Sequence, residues 1–201
     1  MSNDNRPGKG ARIKVEPIRS LVDIGRIKSL LEGRPRDLAL FTVGINTPLR
    51  VSDLMALNCA QVCKLKPGSA IEIRDQRTGR RMRIGWNRAC YKAVAGLIDS
   101  IDTANADVLR RAQYLFRSRR GEVLLASSVH RLVKSWCKHI GLAGNFGANS
   151  LRKTWGYHQF ATFGTDLNRL MIIFNHATRR QTLEYLCLRP QDFKNIFEHE
   201  L

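Results

Sequence analysis

Residues that can act on a phosphate ester occur in three separate stretches of this 201-residue chain. Arg50 lies in L-R-V-S-D-L, Arg152 in A-N-S-L-R-K-T-W-G-Y-H, and His176 and Tyr185 in F-N-H-A-T-R-R-Q-T-L-E-Y-L. An arginine guanidinium stays charged at any relevant pH and offers parallel donors to a phosphate. A tyrosine hydroxyl is a weak nucleophile until a base or nearby cations activate it. The set predicts attack by Tyr185 on a phosphodiester that two arginines hold and His176 assists.

The chain carries a large excess of positive charge. It contains 34 lysines and arginines against 17 aspartates and glutamates, which gives a formal net charge of +17, yet 43% of its residues are apolar. A foldable chain with such a surface calls for a polyanionic partner, and nucleic acid is the commonest one. An anionic membrane surface is the alternative partner. The third interpretation is that the charge serves only to keep the protein soluble.

Several other classes of protein do not fit the sequence. No run of about 20 apolar residues could span a bilayer, and the N-terminus lacks the apolar core of a signal peptide, so we expect a cytoplasmic protein with no membrane attachment. The odd number of cysteines predicts reduced thiols. The closest cysteine pair is Cys59 and Cys63, and no second Cys/His pair lies at ligand distance from it, so we expect no metal. There is also no glycine-rich phosphate-binding loop, so we expect no cofactor. The cysteines are Cys59, Cys63, Cys90, Cys137 and Cys187.

Periodicity predicts a mainly α fold with a small antiparallel β-sheet. Residues 1–14 are polar and basic and predict a mobile arm, and residues 15–201 predict one domain. Alternation over 70–76 and 80–86, with a glycine turn between them, predicts a basic β-hairpin. Ser52 is predicted to cap a helix that starts beside Arg50. Helical patterns cover the segments 18–31, 34–45, 90–101, 106–113, 127–140, 150–163, 167–174, 181–186 and 190–197.

These strings, with the hairpin turn Q-R-T-G-R, resemble the catalytic domain of tyrosine recombinases, the phage integrase family, from Val15 onward. The closest likeness is to short, single-domain integrases. The resemblance implies a 3′-phosphotyrosyl intermediate and release of a 5′-hydroxyl, with neither ATP nor a metal. It further implies that Arg50 and Arg152 hold the scissile phosphate, that His176 assists, and that Tyr185 is the nucleophile.

Two positions of the expected catalytic set differ from the family pattern. Asn149 stands where most relatives have a histidine, and Arg77 stands where relatives have a lysine that protonates the leaving oxygen. Asparagine cannot exchange a proton near neutral pH, and arginine is a poor proton donor. We therefore expect reduced strand-transfer activity. A non-cleaving, integrase-like DNA-binding protein is the alternative, and a type IB topoisomerase is a third interpretation.

The resemblance also implies how the protein meets DNA. It predicts double-stranded DNA as the partner, a homo-oligomer assembled on it, and a location with the bacterial nucleoid. Residues 188–201 are predicted either to dock on a neighbouring subunit or to fold back on their own domain. Further cations are interpreted as contacts to the DNA backbone or as solvated charge. They are Arg80, Arg81, Arg83, Lys153, Arg179 and Arg180.

Overall fold

In a computed structural model of the chain, residues 14–100, 114–118, 120–189 and 192 are described. The predicted fold class is confirmed, because these residues form helices and one two-stranded antiparallel sheet. The elements are α1 Leu21–Leu30, α2 Pro35–Asn46, α3 Val51–Met55, α4 Cys59–Val62, β1 Ala70–Arg74, β2 Arg81–Gly85, α5 Arg88–Asp99, α6 Ala126–His139, α7 Ala148–Ala161, α8 Leu167–Phe174 and α9 Arg179–Leu186.

The prediction of Ser52 as a helix cap is wrong. The backbone N–H of Leu54 donates to the carbonyl of Arg50 at 2.8 Å, so Arg50 is the N-cap of α3 and Ser52 lies inside the helix. Arg50 itself is extended, with φ −69° and ψ 156°. The short helix α4 was not predicted, since its four residues are too few to show a helical period.

The β-hairpin is confirmed, with Ile71 opposite Ile84 and Arg74 opposite Arg81. The isoleucines are buried in the core, while Arg81 and Arg83 are exposed on the other face. Gly79 has φ +70°, a conformation that side chains disfavour, and this closes the turn between the strands. The turn that carries Arg77 thus lies at the end of a sheet whose isoleucine face is packed into the core.

The core consists of a main cluster and a smaller one. α2 lies in the middle of the main cluster, where it packs against α5 and α7, and Phe41 meets Trp136 edge to face at 5.9 Å between ring centroids. The smaller cluster is Leu170, Phe174 and Leu186, with Tyr185 packed against it. The helix α9, which carries Tyr185, therefore rests on α7 and α8 rather than on the main core.

Four predictions lie wholly or mostly outside the described residues. They are the basic arm, the helices over 106–113 and 190–197, and the role of the tail 188–201. At the start of the described chain, the N–H of Ile18 donates to Thr154 Oγ1 at 2.8 Å, which joins this segment to α7. Within the described ranges, no helix combines the length and the apolar character that crossing a bilayer would require.

Candidate active site

The predicted site residues come from distant parts of the chain, and the structure brings five of them together. Arg50 begins α3, Arg77 lies in the hairpin turn, Arg152 is on α7, His176 follows α8, and Tyr185 is on α9. The His176 and Tyr185 rings are 5.0 Å apart between centroids, and the Arg152 guanidinium carbon is 5.9 Å from the Tyr185 centroid. The charges of Arg50, Arg77 and Arg152 all reach His176, where they lower its pKa.

Arg152 is fixed inside the protein rather than displayed on it. Only 5% of its surface is exposed, and its Nε donates to the carbonyl of Pro48 at 2.6 Å. The guanidinium lies over the Phe174 ring, 4.8 Å from the centroid, which adds a cation–π contact. Burial lowers the pKa of Arg152, and the neighbouring Tyr185 opposes that effect. An arginine held in this way has a set direction for an incoming phosphate before the phosphate arrives.

Arg50 forms an ion pair with Asp75, a carboxylate of the hairpin turn that is 3% exposed. Asp75 Oδ1 also accepts from the backbone N–H groups of Arg77 and Thr78, at 2.9 and 2.8 Å. One carboxylate thus connects the start of α3 to the turn. Sequence reasoning missed Asp75, although an acidic residue inside the basic run R-D-Q-R-T could have drawn attention to it.

Asp53 makes a second link between α3 and the turn. It is 1% exposed, and its Oδ1 accepts from the backbone N–H of Gln76 at 3.0 Å. Its other oxygen, Oδ2, is buried without a hydrogen-bond partner among the described residues. The charge of Asp53 raises the pKa of both Arg50 and Arg152, against the lowering by burial. The buried negative charge of Asp53 therefore offsets part of the effect of burial on the two arginines.

His176 lies against both Phe174 and Tyr185. Asn175 takes a left-handed conformation, φ 56°, which ends α8 and turns the chain. The His176 ring then stacks on Phe174 at 5.4 Å, and its Nδ1 is 3.0 Å from the hydroxyl of Thr182. Burial, followed by the charges of Arg152, Arg50 and Arg77, lowers the pKa of His176 from 6.5 to about 4. The imidazole is consequently neutral at neutral pH.

Tyr185 is half-buried on α9, with its ring 5.2 Å from that of Phe174. Burial raises the pKa of its hydroxyl, and the charges of Arg152 and Arg50 only partly oppose this. The phenol is thus protonated at neutral pH before DNA binds. The predicted role as a nucleophile would require a group that takes this proton.

Asn149, the sixth residue of the predicted catalytic set, is exposed in the first turn of α7, and Arg77 is exposed at the hairpin turn. Among the predicted DNA contacts, Arg80 is exposed and donates to the carbonyl of Ile172 at 3.2 Å. The remaining exposed cations of that set are Arg81, Arg83, Arg179, whose Nε donates to Asn168, and Arg180, which pairs with Glu184.

Lys153 is not a solvated charge in the structure, and its contact with DNA stays a prediction. Lys153 is 4% exposed, and its Nζ donates to the carbonyl of Val15 at 2.7 Å. The ammonium also lies 3.5 Å from the Cys187 sulfur and 5.0 Å from the centroid of the Tyr185 ring. Lys153 is thus as buried as Arg152, and its ammonium already has a hydrogen-bond partner inside the protein.

Gly156 allows the three helices of the site to approach closely. A Cβ at this position of α7 would lie 2.5 Å from Phe174 Cζ and 2.7 Å from Leu186 Cδ2. Glycine in a helix interior costs about 1 kcal/mol relative to alanine, so its presence here reflects this contact. The sequence showed the glycine within W-G-Y-H but not the ring that it makes room for.

The chain is similar in sequence to known integrases and recombinases. A sequence model of the phage integrase family matches residues 14–191. The probable integrase/recombinase YoeC of Bacillus subtilis is 30% identical over 174 residues, covering 86% of this chain and 89% of YoeC. The tyrosine recombinase XerC of Caldanaerobacter subterraneus is 28% identical over 153 residues, covering 76% of this chain and 41% of that protein.

Solved structures show the same fold. The crystal structure of XerA recombinase superposes with a TM-score of 0.71 at 22% identity, covering 96% of this chain and 65% of that one. XerH recombinase bound to its difH substrate gives a TM-score of 0.70 at 15% identity, covering 95% of this chain and 55% of that one. The chain thus spans most of YoeC but under two thirds of these recombinase structures.

Proposed function

Because the chain belongs to the phage integrase family, we propose that it breaks and rejoins double-stranded DNA at specific sites through a 3′-phosphotyrosyl intermediate on Tyr185. The observation that carries the proposal is the position of Tyr185 beside a buried arginine and a neutral histidine, with a second arginine at the edge of the same site. Three chain segments that are far apart in sequence supply these groups. Such a set suits one reaction, nucleophilic attack on an anion.

In this reaction Arg50 and Arg152 neutralise the non-bridging oxygens, whose negative charge grows in the transition state. The Tyr185 oxygen attacks phosphorus, and the 5′-oxygen leaves. The phosphodiester energy is kept in the phosphotyrosyl bond, so a second 5′-hydroxyl can reverse the step without ATP. Removal of one donor from such a clamp costs about 3 to 4 kcal/mol of barrier.

The same proposal includes the partner and the assembly. The solved XerH structure is a post-cleavage complex with DNA, and that of lambda integrase is a dimer on a core site. We propose that this chain likewise acts as an oligomer on duplex DNA and works at the nucleoid. The exposed arginines of the hairpin and of the start of α9 supply charge for the backbone contacts.

The proposal also includes a slow reaction. Arg77 occupies the hairpin turn next to the site, and no lysine occurs between Lys66 and Lys92 to replace it as a proton donor. Asn149 can donate a hydrogen bond but cannot exchange a proton. General acid–base catalysis commonly raises a reaction rate by about 10²- to 10⁴-fold. Here the proton donor to the leaving 5′-oxygen is missing. The ion pair of Arg50 with Asp75 must also yield to the phosphate.

Trapping the covalent intermediate tests this function. Duplexes selected from a random-sequence pool by binding to the protein are given a nick beside each candidate scissile phosphate, so that the cleaved fragment is lost and the adduct accumulates. The wild type should form a protease-sensitive DNA adduct, and Tyr185→Phe should not. Tyr91→Phe is the matched control, since Tyr91 is exposed on α5 away from the site.

Other outcomes separate the alternatives. Selected duplexes that bind but never form an adduct would favour the non-cleaving DNA-binding protein. Relaxation of any supercoiled plasmid by the protein alone would favour a topoisomerase. Dependence of the adduct on one selected sequence supports the recombinase.

A further inference from the structure

The helix that carries Tyr185 ends close to it, at Cys187. The backbone N–H of Cys187 donates to the carbonyl of Glu184 at 3.3 Å. The N–H of Leu188 donates to the carbonyl of Leu183 at 3.2 Å, and together the two bonds close the last turn of α9. Cys187 takes the left-handed conformation, φ 55° and ψ 38°, that such a helix end requires and that glycine usually provides. Because a Cβ disfavours this conformation, the end of α9 needs further contacts that hold it.

Arg19, in the segment before α1, supplies such a contact. Its Nη2 donates to the carbonyl of Cys187 at 2.8 Å, and its Nη1 donates to Glu16 Oε2, also at 2.8 Å. The guanidinium carbon lies 5.7 Å from the centroid of the Tyr157 ring. The last carbonyl groups of a helix have no partner inside it, and the helix dipole favours a cation beside them. The half-buried Arg19 therefore caps the C-terminal end of α9.

We propose that Arg19 is a positioning residue for Tyr185, which it holds in place by fixing the last turn of α9. This inference rests on the proposed strand cleavage and adds to it a residue that acts through the helix and not on the phosphate. Helix ends fray, and Tyr185 lies in the last turn of α9. Its hydroxyl therefore has a set place from which to attack only while that turn is held. The contact joins residues 168 positions apart, so no local pattern shows it.

Glu16 orients Arg19 and also holds the chain that follows α9. Its Oε2 accepts from Arg19 at 2.8 Å and from Arg189 at 3.0 Å. The hydrogen bond from Arg19 is the largest effect that lowers the pKa of Glu16, so the carboxylate is ionised at neutral pH. On the other side of the same turn, Lys153 Nζ lies 3.5 Å from the Cys187 sulfur. The chain is thus held by charged groups at the point where it leaves α9.

The rival role for Arg19 is to anchor the segment before α1 to the domain. That segment has other bonds to α7. The N–H of Ile18 donates to Thr154 Oγ1 at 2.8 Å, and the Ile18 carbonyl oxygen lies 3.0 Å from His158 Nε2. These contacts anchor the segment without Arg19, whereas the bond from Arg19 reaches the end of α9 directly. The geometry therefore favours the role at the helix end.

Amide hydrogen exchange of the DNA-free protein tests the cap. Arg19→Met removes both donors and keeps a long, unbranched side chain. The amides of Cys187 and Leu188 should then exchange about tenfold faster than in the wild type. Arg19→Lys keeps the positive charge and can donate to the same carbonyl, so it should return the exchange to near the wild-type rate.

Arg26→Met is the matched control. Arg26 pairs with Asp23 at 3.0 Å and donates to the carbonyl of Ile140 at 2.6 Å, which lies at the end of α6. The control variant therefore loses the same charge and the same kind of helix cap, but at a different helix. Its α9 amides should exchange at the wild-type rate.

Cleavage of the nicked duplex, at a temperature where all variants are folded, provides the second readout. At saturating DNA, the single-turnover rate should fall by about 10- to 100-fold in Arg19→Met and stay near the wild-type rate in Arg19→Lys and Arg26→Met. The duplex concentration that gives half of the maximal rate should be equal in Arg19→Met and Arg26→Met, since each loses one positive charge. Cys187→Gly, added to Arg19→Met, should restore part of the rate because glycine adopts the left-handed conformation without a Cβ.

The outcomes separate this inference from the proposed function. Unchanged α9 exchange in Arg19→Met, equal slowing in Arg26→Met, or no recovery with Cys187→Gly overturns the inference while Tyr185 still forms its adduct. If Arg19→Met does not fold, Glu16→Gln replaces it, because this change removes only the charge of the ion-pair partner. It should slow cleavage by about two- to fivefold, and an unchanged rate again overturns the inference. Failure of the wild type to form any Tyr185 adduct overturns the proposed function and the positioning role together.

Discussion

Gly156→Ala tests whether the close approach of α7, α8 and α9 sets the geometry of the site. The added methyl carbon would lie 2.5 and 2.8 Å from two atoms of the Phe174 ring and 2.7 Å from Leu186. Carbon atoms in contact lie about 3.5 to 4.0 Å apart, so the ring must retreat by about 1 Å. Overpacking of this kind costs about 1 to 3 kcal/mol, and the better helix propensity of alanine returns about 1.

The short contact distances place this substitution at the upper end of the overpacking range, so we expect a net loss of about 2 kcal/mol of unfolding free energy. For a chain of this size that corresponds to a melting temperature lower by roughly 4 to 8 °C. Gly96→Ala is the matched control, because Gly96 is exposed inside α5 and a Cβ there would meet nothing within 4 Å. That variant should gain roughly 0.5 to 1 kcal/mol. Thermal and urea unfolding of the three proteins measure both effects.

The same displacement should lower activity, because Phe174 directly contacts the groups proposed to act on the phosphate. Its ring lies 4.8 Å from the Arg152 guanidinium, 5.4 Å from His176 and 5.2 Å from Tyr185. A misplacement of about 1 Å can cost on the order of 10²-fold in rate, so cleavage of the nicked duplex should fall by about that factor at a temperature where the variant is folded. A Gly156→Ala protein as stable and as active as Gly96→Ala would refute this account of the packing.

Four further outcomes are expected. Arg77→Lys should speed single-turnover cleavage by roughly 10- to 100-fold by supplying a proton donor, and an unchanged rate would mean that proton donation does not limit the reaction. Asp75→Asn keeps a hydrogen-bond acceptor for the turn but removes the negative charge paired with Arg50. The plot of log Kd against log salt concentration, measured by fluorescence anisotropy, should therefore become steeper by about one in slope. Lys153→Met should leave that slope unchanged because the ammonium is buried, whereas a shallower slope would indicate a phosphate contact. The pKa of about 4 for His176 lies below its ordinary 6.5, so the unfolded chain binds a proton between these values and stability falls as pH is lowered through them. Chemical unfolding should show a smaller fall in His176→Gln, and equal falls would contradict a neutral, buried imidazole.

Patterns that are local in sequence predicted much of the fold. Alternation in 70–76 and 80–86 predicted the hairpin, because a strand exposes every second side chain, and the structure has β1 and β2 there. The helix 167–174 has the predicted bounds, since Asp166 caps its start and Asn175 ends it in a left-handed conformation. The prediction of Ser52 as N-cap was wrong because a serine at the second position of a helix gives the same sequence signal as a serine at its N-cap.

The sequence by itself determined which groups could take part in the chemistry, because Arg50, Arg152, His176 and Tyr185 are specified by residue type and by order along the chain. Only the tertiary structure decided which neighbours govern them. The pairing of Asp75 with Arg50, the Phe174 ring beneath Arg152 and the burial of Lys153 each join segments that the sequence keeps apart. Periodicity reports which face of an element is buried, but the group that meets that face depends on how helices and hairpin pack together.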